Sequence, residues 1–281
     1  MSHLHKLKLD WVRQLASRVA RDDVSSYAAA LAYNFLFAIF PLMLFLTALL
    51  AFLHFPDLQQ SIRGPIATLV PSSVLQFILS TLQGIIHRKS PALLSLGALA
   101  FLWAMSGAFR QLIDAVNHAY EFPYPRRRKL WQTYLMSIGL GLGVGVLLVM
   151  GIGLTLSGVR VVQWVLLWGF GLHATPWVAD TLRWAAVLVG FLFVLAFLYA
   201  FLPDKPQPFK LWTWGGVFAL FIFIGISWGF SYYAGHFSSY NRMYGSFGAV
   251  MILMLYLYLL AWSLLLGAEI NAMVRRMAKQ S

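Results

Sequence analysis

The chain has 281 residues, of which 60% are hydrophobic and only 11% charged, against about 45–50% and about 25% in a soluble domain. A folded chain of this size still exposes about a quarter of its unfolded surface, so the composition excludes an ordinary soluble enzyme, and it excludes disorder, which requires low hydrophobicity. The absence of cysteine removes disulfides, thiolate metal sites and a cysteine nucleophile, while a net charge of +12 suits either nucleic acid or the basic loops of a membrane protein.

Residues 4–21 carry Leu7, Trp11, Leu15 and Val19 at helical spacing, with basic residues between them. That pattern predicts an amphipathic helix on an anionic membrane surface. A transmembrane helix needs about 20 mostly apolar residues, and six such runs follow, at 27–53, 92–119, 131–156, 177–202, 211–234 and 245–272. The first is too long for a signal-peptide core and no small-residue cleavage site follows it, so it is expected to be retained. Pro41 lies in the middle of this span and should kink or break it. Between the first two spans, Val74, Phe77, Ile78, Thr81, Leu82, Ile85 and Ile86 form one face of residues 72–87, opposite Ser73, Gln76, Ser80 and Gln83. They predict a second amphipathic helix, either on the outer surface or packed beneath the outer loops. Residues 161–172 are too short to cross and read as an interfacial or re-entrant segment. Trp131, Trp177, Trp212 and Trp214 stand near span ends, as in an aromatic belt.

The fold expected is therefore all-α: a polytopic integral membrane protein of six transmembrane helices plus amphipathic interfacial helices. It divides into an amphipathic N-terminal segment (1–26), a membrane domain (27–272) and a basic tail (273–281). Fourteen of the basic residues fall in the N-terminal segment, the 120–130 and 203–210 loops and the tail, against five in the other loops. This bias places both termini in the cytoplasm and accounts for most of the charge without nucleic acid.

Polar residues inside spans are costly and usually face protein or water. Arg110 and Asp114 share a face at i, i+4, and Asn117, His118 and Glu121 extend it. Tyr33 and Asn34 in the first span, and Glu269 and Asn271 in the last, lie at the same depth. One reading makes Tyr33, Asn34, Arg110, Asp114, Asn117, Glu269 and Asn271 a single intramembrane polar site lining a cytoplasm-facing cavity. The other leaves Arg110 and Asp114 neutralising each other while Glu269 and Asn271 reach interfacial water. At the opposite end, Tyr233, His236, Tyr240 and Tyr244 form either an outer recognition loop or an aromatic belt. Gly139, Gly141, Gly143 and Gly145 sit within an apolar span, where Gly139/Gly143 and Gly141/Gly145, like Gly225/Gly229, are expected to allow close helix packing. The histidines show no metal-ligand spacing, and there is no nucleophile elbow or Walker loop. No metal and no cofactor are implied.

Four stretches resemble the YihY/BrkB family of bacterial inner-membrane proteins: Ala28–Tyr33 running to Phe40-Pro41-Leu42; Trp103–Ala108 continuing through Arg110, Asn117, Ala119 and Tyr120; Leu198-Tyr199 with Leu202-Pro203-Asp204; and Tyr244–Ala249 with Leu266–Ala272. Asn34 and Ala38 depart from the more usual aromatic and serine, and Tyr256 stands where Trp is common. The resemblance implies a six-span helical fold without a defined biochemical activity. It carries an old ribonuclease BN label, which the lack of a metal cluster argues against, and links to serum resistance and to export of lipopolysaccharide or other lipids. Expected partners are membrane lipids and envelope-transport proteins. A transporter of an amphiphilic envelope substrate, an ion- or proton-coupled carrier using Asp114 or Glu269, and a non-catalytic scaffold for envelope machinery remain as functions.

Overall fold

The computed structural model describes residues 2–52, 91–121, 128–170, 175–236 and 240–280. Their helices are α1 (Ser2–Arg21), α2 (Val24–Phe52), α3 (Pro91–Ala119), α4 (Leu130–Phe170), α5 (Pro176–Phe201), α6 (Trp214–His236) and α7 (Tyr240–Gln280). No strand occurs among the described residues. All but α1 contain a stretch long and apolar enough to cross a membrane, six in all among the described residues. Trp103, Trp168, Trp214 and Trp228 are each at least 74% exposed, which suits contact with lipid or a partner surface rather than water. The expected helix at 72–87 lies outside the described residues, as do Arg63, Arg88, Lys89, Arg126 and Arg127.

Helix ends follow local chemistry. Asp23, with φ 47°, makes the turn between α1 and α2, a left-handed conformation that a short acidic side chain tolerates. At the start of α4 the Lys129 amide donates to Gln132 Oε1 at 2.9 Å, half of a capping box. Pro176 opens α5, and its C-terminus is closed from outside: Arg128 donates to the carbonyls of Leu202 at 3.1 Å and Pro203 at 2.7 Å, placing a cation on the negative end of a helix. Thr213 Oγ1 caps α6 by accepting from the Gly216 amide at 3.0 Å.

Two expectations change here. α4 is one unbroken helix of 41 residues, and 161–170 form its last turns rather than a separate interfacial piece. It contains no proline, and glycine inside an apolar helix does not stop it. α2 runs through Pro41 without interruption. The proline removes one backbone bond, and the rest of a 29-residue ladder holds the helix on both sides. Of the two outcomes expected of Pro41, the break is absent, and a kink is the one compatible with a continuous helix.

By contacts the chain forms two compact units, one of residues 1–24, 113–222 and 263–281, the other of 25–112 and 223–262. In the second, Gly97 of α3 meets the backbone of Phe45 in α2, where an added Cβ would come within 3.0 Å, and Phe45 stacks on Phe101. Tyr256 of α7 lies within 3.1 Å of Ser227 Oγ and against the Phe230 ring. In the first unit α4 packs along α5, and Tyr199 of α5 donates to the Leu264 carbonyl of α7 at 2.8 Å. The tightest approach joins α6 and α7: a methyl group on Gly215 would strike the Gly267 carbonyl and the Asn271 amide. By contrast Gly139, Gly145, Gly225 and Gly229 have nothing within 4 Å of an added Cβ, and Gly143 has only Phe197 at 3.8 Å. Among the glycines with described surroundings, Gly97, Gly215 and Gly267 stand at close helix contacts, whereas Gly139, Gly143, Gly145, Gly225 and Gly229 do not.

Candidate functional site

The amphipathic pattern of α1 leads into the first unit. Trp11, Leu15 and Val19 are its half-buried positions, and Arg18 lies on the same face and is itself buried. An arginine on an apolar stripe must find its partners there, and it does. Arg18 Nε donates to Glu269 Oε2 at 3.0 Å, and Nη2 donates to the Ala119 carbonyl at 2.8 Å. Glu269, on α7, is completely buried. The Ala119 carbonyl is the last of α3, so the same guanidinium caps that helix.

A second layer surrounds this pair. Glu121, held just beyond α3 at φ 50°, receives Arg21 and Arg276 and stands 3.5 Å from Arg18. Arg21 also pairs with Asp22 at 2.8 Å. Burial alone would raise the Asp22 carboxyl, but its bond from Arg21, with Glu269 and Arg18 nearby, holds it below the usual carboxylate range. Three arginines and three acidic side chains therefore meet here and fasten α1 to the ends of α3 and α7. We call this the ionic lock.

Beside the lock lies a groove of about 580 Å³, lined by Tyr120, Tyr199, Trp212, Trp214, Lys210 and Arg275 among others. This volume is within the range of small-molecule sites. Four aromatic side chains stand in its walls, and among the described residues its charged lining side chains are both cationic. Burial pushes the Tyr120 hydroxyl up to about 12 against the opposing pull of Arg275, so it stays protonated. The groove and the lock share chain segments: Tyr120 precedes Glu121, and Arg275 precedes Arg276.

The expected polar residues are drawn from both units, each described by itself. Tyr33, Asn34 and Arg110 belong to the second. Tyr33 is exposed and leans on Phe37 at 4.7 Å, Asn34 is half-buried, and Arg110 Nε donates to the Ser106 carbonyl at 3.3 Å. Asp114, Asn117, Glu269 and Asn271 belong to the first. Asp114 is half-buried, and its backbone carbonyl lies 3.0 Å from His118 Nδ1. Asn117 accepts from the Asp204 amide at 2.8 Å, which fastens the turn after α5. Asn271 accepts from the Gly215 amide at 2.8 Å and donates to Thr213 Oγ1 at 3.3 Å, supplementing the cap of α6. Asn117, Glu269 and Asn271 thus each take a different partner, and Asn271 also lines the groove. The side chains of Tyr233, His236, Tyr240 and Tyr244 lie outside the described residues.

Sequence reasoning missed Arg18, counting it only as a topological charge. The signal was available, since Arg18 falls three residues after Leu15 and seven after Trp11. Arg128 and Arg275 were also counted as charge alone, and nothing local marks them as a helix cap or a groove wall. Among the described residues, no three His, Asp or Glu side chains gather closely enough to hold a metal ion.

Residues 15–281 match the Virulence factor BrkB family. The chain belongs to this family. Within the BrkB family it is 29% identical over 273 residues to the putative ribonuclease-like protein YfkH of Bacillus subtilis, covering 96% of this chain and 97% of YfkH. It is 31% identical to a UPF0761 membrane protein of Azotobacter vinelandii and 29% identical to one of Psychrobacter, covering 93% of this chain in each case. The match spans 62% and 48% of those two longer relatives. No solved structure matches. With its six apolar helices, this BrkB-family chain is an integral membrane protein.

Proposed function

We propose that this protein transports an amphiphilic envelope substrate, a lipid or glycolipid, in the bacterial inner membrane, with both termini in the cytoplasm. The observation that carries the reading is the groove: indole and phenol walls suited to the membrane interface, opposed by Lys210 and Arg275. The basic bias of the flanking segments supports a position for that groove at the inner leaflet. A lipid could rest its glycerol and upper acyl region against Trp212 and Trp214 while its headgroup meets the cations. No nucleotide-binding loop is present in the sequence, so transport would run down a gradient or on a partner's energy. The ribonuclease-like name belongs to YfkH; among the described residues of this chain, no three His, Asp or Glu side chains gather to hold a metal ion.

The test is reconstitution into liposomes carrying fluorescent lipids of several headgroup classes. Accelerated exchange between leaflets for at least one class is expected. Exchange equal to that of protein-free liposomes in every class would overturn the reading. A carrier coupled to protons is a second reading, favoured by the completely buried Glu269 beside Asp22. It requires substrate flux that changes with pH in the native protein and loses that dependence in Glu269→Gln.

A further inference from the structure

We infer that the groove is a headgroup site selective for anionic, phosphate-bearing phospholipids, with Lys210 and Arg275 as the paired ligands of the phosphate. This deepens the proposed transport function and rests on its placement of the groove at the membrane interface.

Charge complementarity commits the groove to this occupant. Its two charged side chains among the described residues are both cations, and the acidic groups nearest it face other arginines, Asp204 standing 3.9 Å from Arg128. Glu269 faces Arg18, Glu121 receives Arg21 and Arg276, and Asp22 pairs with Arg21. These acidic groups face the lock's own arginines, so they do not cancel the charge of Lys210 or Arg275. The two cations differ usefully: guanidinium offers a planar fork to phosphate oxygens, while ammonium offers a mobile point charge. Lys210 is exposed at the rim and Arg275 is half-buried, so one meets the headgroup first and the other holds it deeper. Trp212 and Trp214, 67% and 74% exposed, give the apolar part of the same molecule a surface. A soluble phosphate would use the cations and leave the indoles uncovered; a phospholipid uses both. A zwitterionic lipid brings its own ammonium into a site without a carboxylate to receive it.

The experiment uses the purified full-length protein in detergent, titrated with short-chain phosphatidylglycerol, short-chain phosphatidylcholine and inorganic phosphate, with bound lipid read by native mass spectrometry. Phosphatidylglycerol should bind about tenfold or more tightly than phosphatidylcholine, since each basic residue near a membrane surface contributes about 1 kcal/mol toward an anionic lipid. Inorganic phosphate at the same concentration should not displace it. Lys210→Gln with Arg275→Gln should reduce phosphatidylglycerol binding to the phosphatidylcholine level. Arg13→Gln, which removes an exposed charge from α1, should leave the preference unchanged, and thermal unfolding of each variant verifies that it is folded. Equal affinity of the native protein for the two lipids would overturn the inference. Equal weakening by Arg13→Gln would also overturn it, because the effect would then be diffuse charge. Competition by inorganic phosphate would replace the lipid by a soluble anion and overturn it as stated. Selective binding without leaflet exchange would sustain the inference and reject transport; exchange without anionic preference would do the reverse.

Discussion

Arg18 and Glu269 form a buried ion pair between positions 251 residues apart. Removing the Glu269 charge leaves the buried Arg18 guanidinium with only the Ala119 carbonyl and Glu121 at 3.5 Å, and an incompletely paired buried charge is costly. Glu269→Gln should therefore destabilise the protein by about 3 kcal/mol, read as a lowered thermal midpoint in detergent. Replacing both residues by leucine should recover part of that loss. Asp22 adds a pH dependence of definite sign. Its carboxyl binds a proton more weakly in the folded protein than in the unfolded chain. Its stabilisation is thus complete above the usual carboxylate range and is lost as pH falls through that range toward the lower folded value. Native protein should be more stable than Asp22→Asn at pH 7, and the difference should shrink in acid. Denaturation measured across pH 3 to 7 (about the span over which carboxylates titrate) checks this; a difference that grows in acid would contradict it.

At the scale of elements, the α6–α7 crossing explains why one segment carries so many distinctive residues. Gly267 lets the backbone of α6 approach, Ala268 is fully buried, Glu269 receives Arg18, and Asn271 caps α6 through Gly215. Gly215→Ala must push two backbones apart, and overpacking of this kind costs about 1–3 kcal/mol. Gly139→Ala meets nothing within 4 Å and should change stability by no more than about 0.5 kcal/mol, in the stabilising direction if helix propensity dominates. Thermal unfolding of the two variants side by side tests which glycines bring helices together. Regular spacing pointed to Gly139 and Gly143, because a four-residue repeat places them on one helix face. Spacing identifies a face but not whether another helix lies against it.

For the whole molecule, the decisive quantity is the uneven distribution of basic residues across six apolar spans. Because the chain has no cysteine, single cysteines report topology without background. Arg160→Cys should react with a membrane-impermeant maleimide in intact spheroplasts, and Arg13→Cys should react only after lysis. The opposite pattern would invert the orientation and move the groove to the outer leaflet. α4 sharpens the test: its 41 residues extend about 60 Å at 1.5 Å per residue, twice the roughly 30 Å of the hydrocarbon core, so Arg160 sits on a helical extension well beyond a single crossing.

The sequence by itself determined the all-helical class, the six spans and the family resemblance. Hydropathy and helix periodicity are sums over neighbouring residues, and the transfer energy that makes a span is nearly independent of the rest of the chain. It also marked Asn117, Glu269 and Asn271 as worth explaining, since a polar group in an apolar helix must be satisfied somewhere. What satisfies each was decided only by tertiary structure: the turn after α5 for Asn117, a cation from α1 for Glu269, the start of α6 for Asn271. The same holds for which arginines became lock, cap or groove wall. A charge has the same transfer cost in any helix, whereas its partner depends on which distant backbones come close enough to bring an opposite charge within about 4 Å.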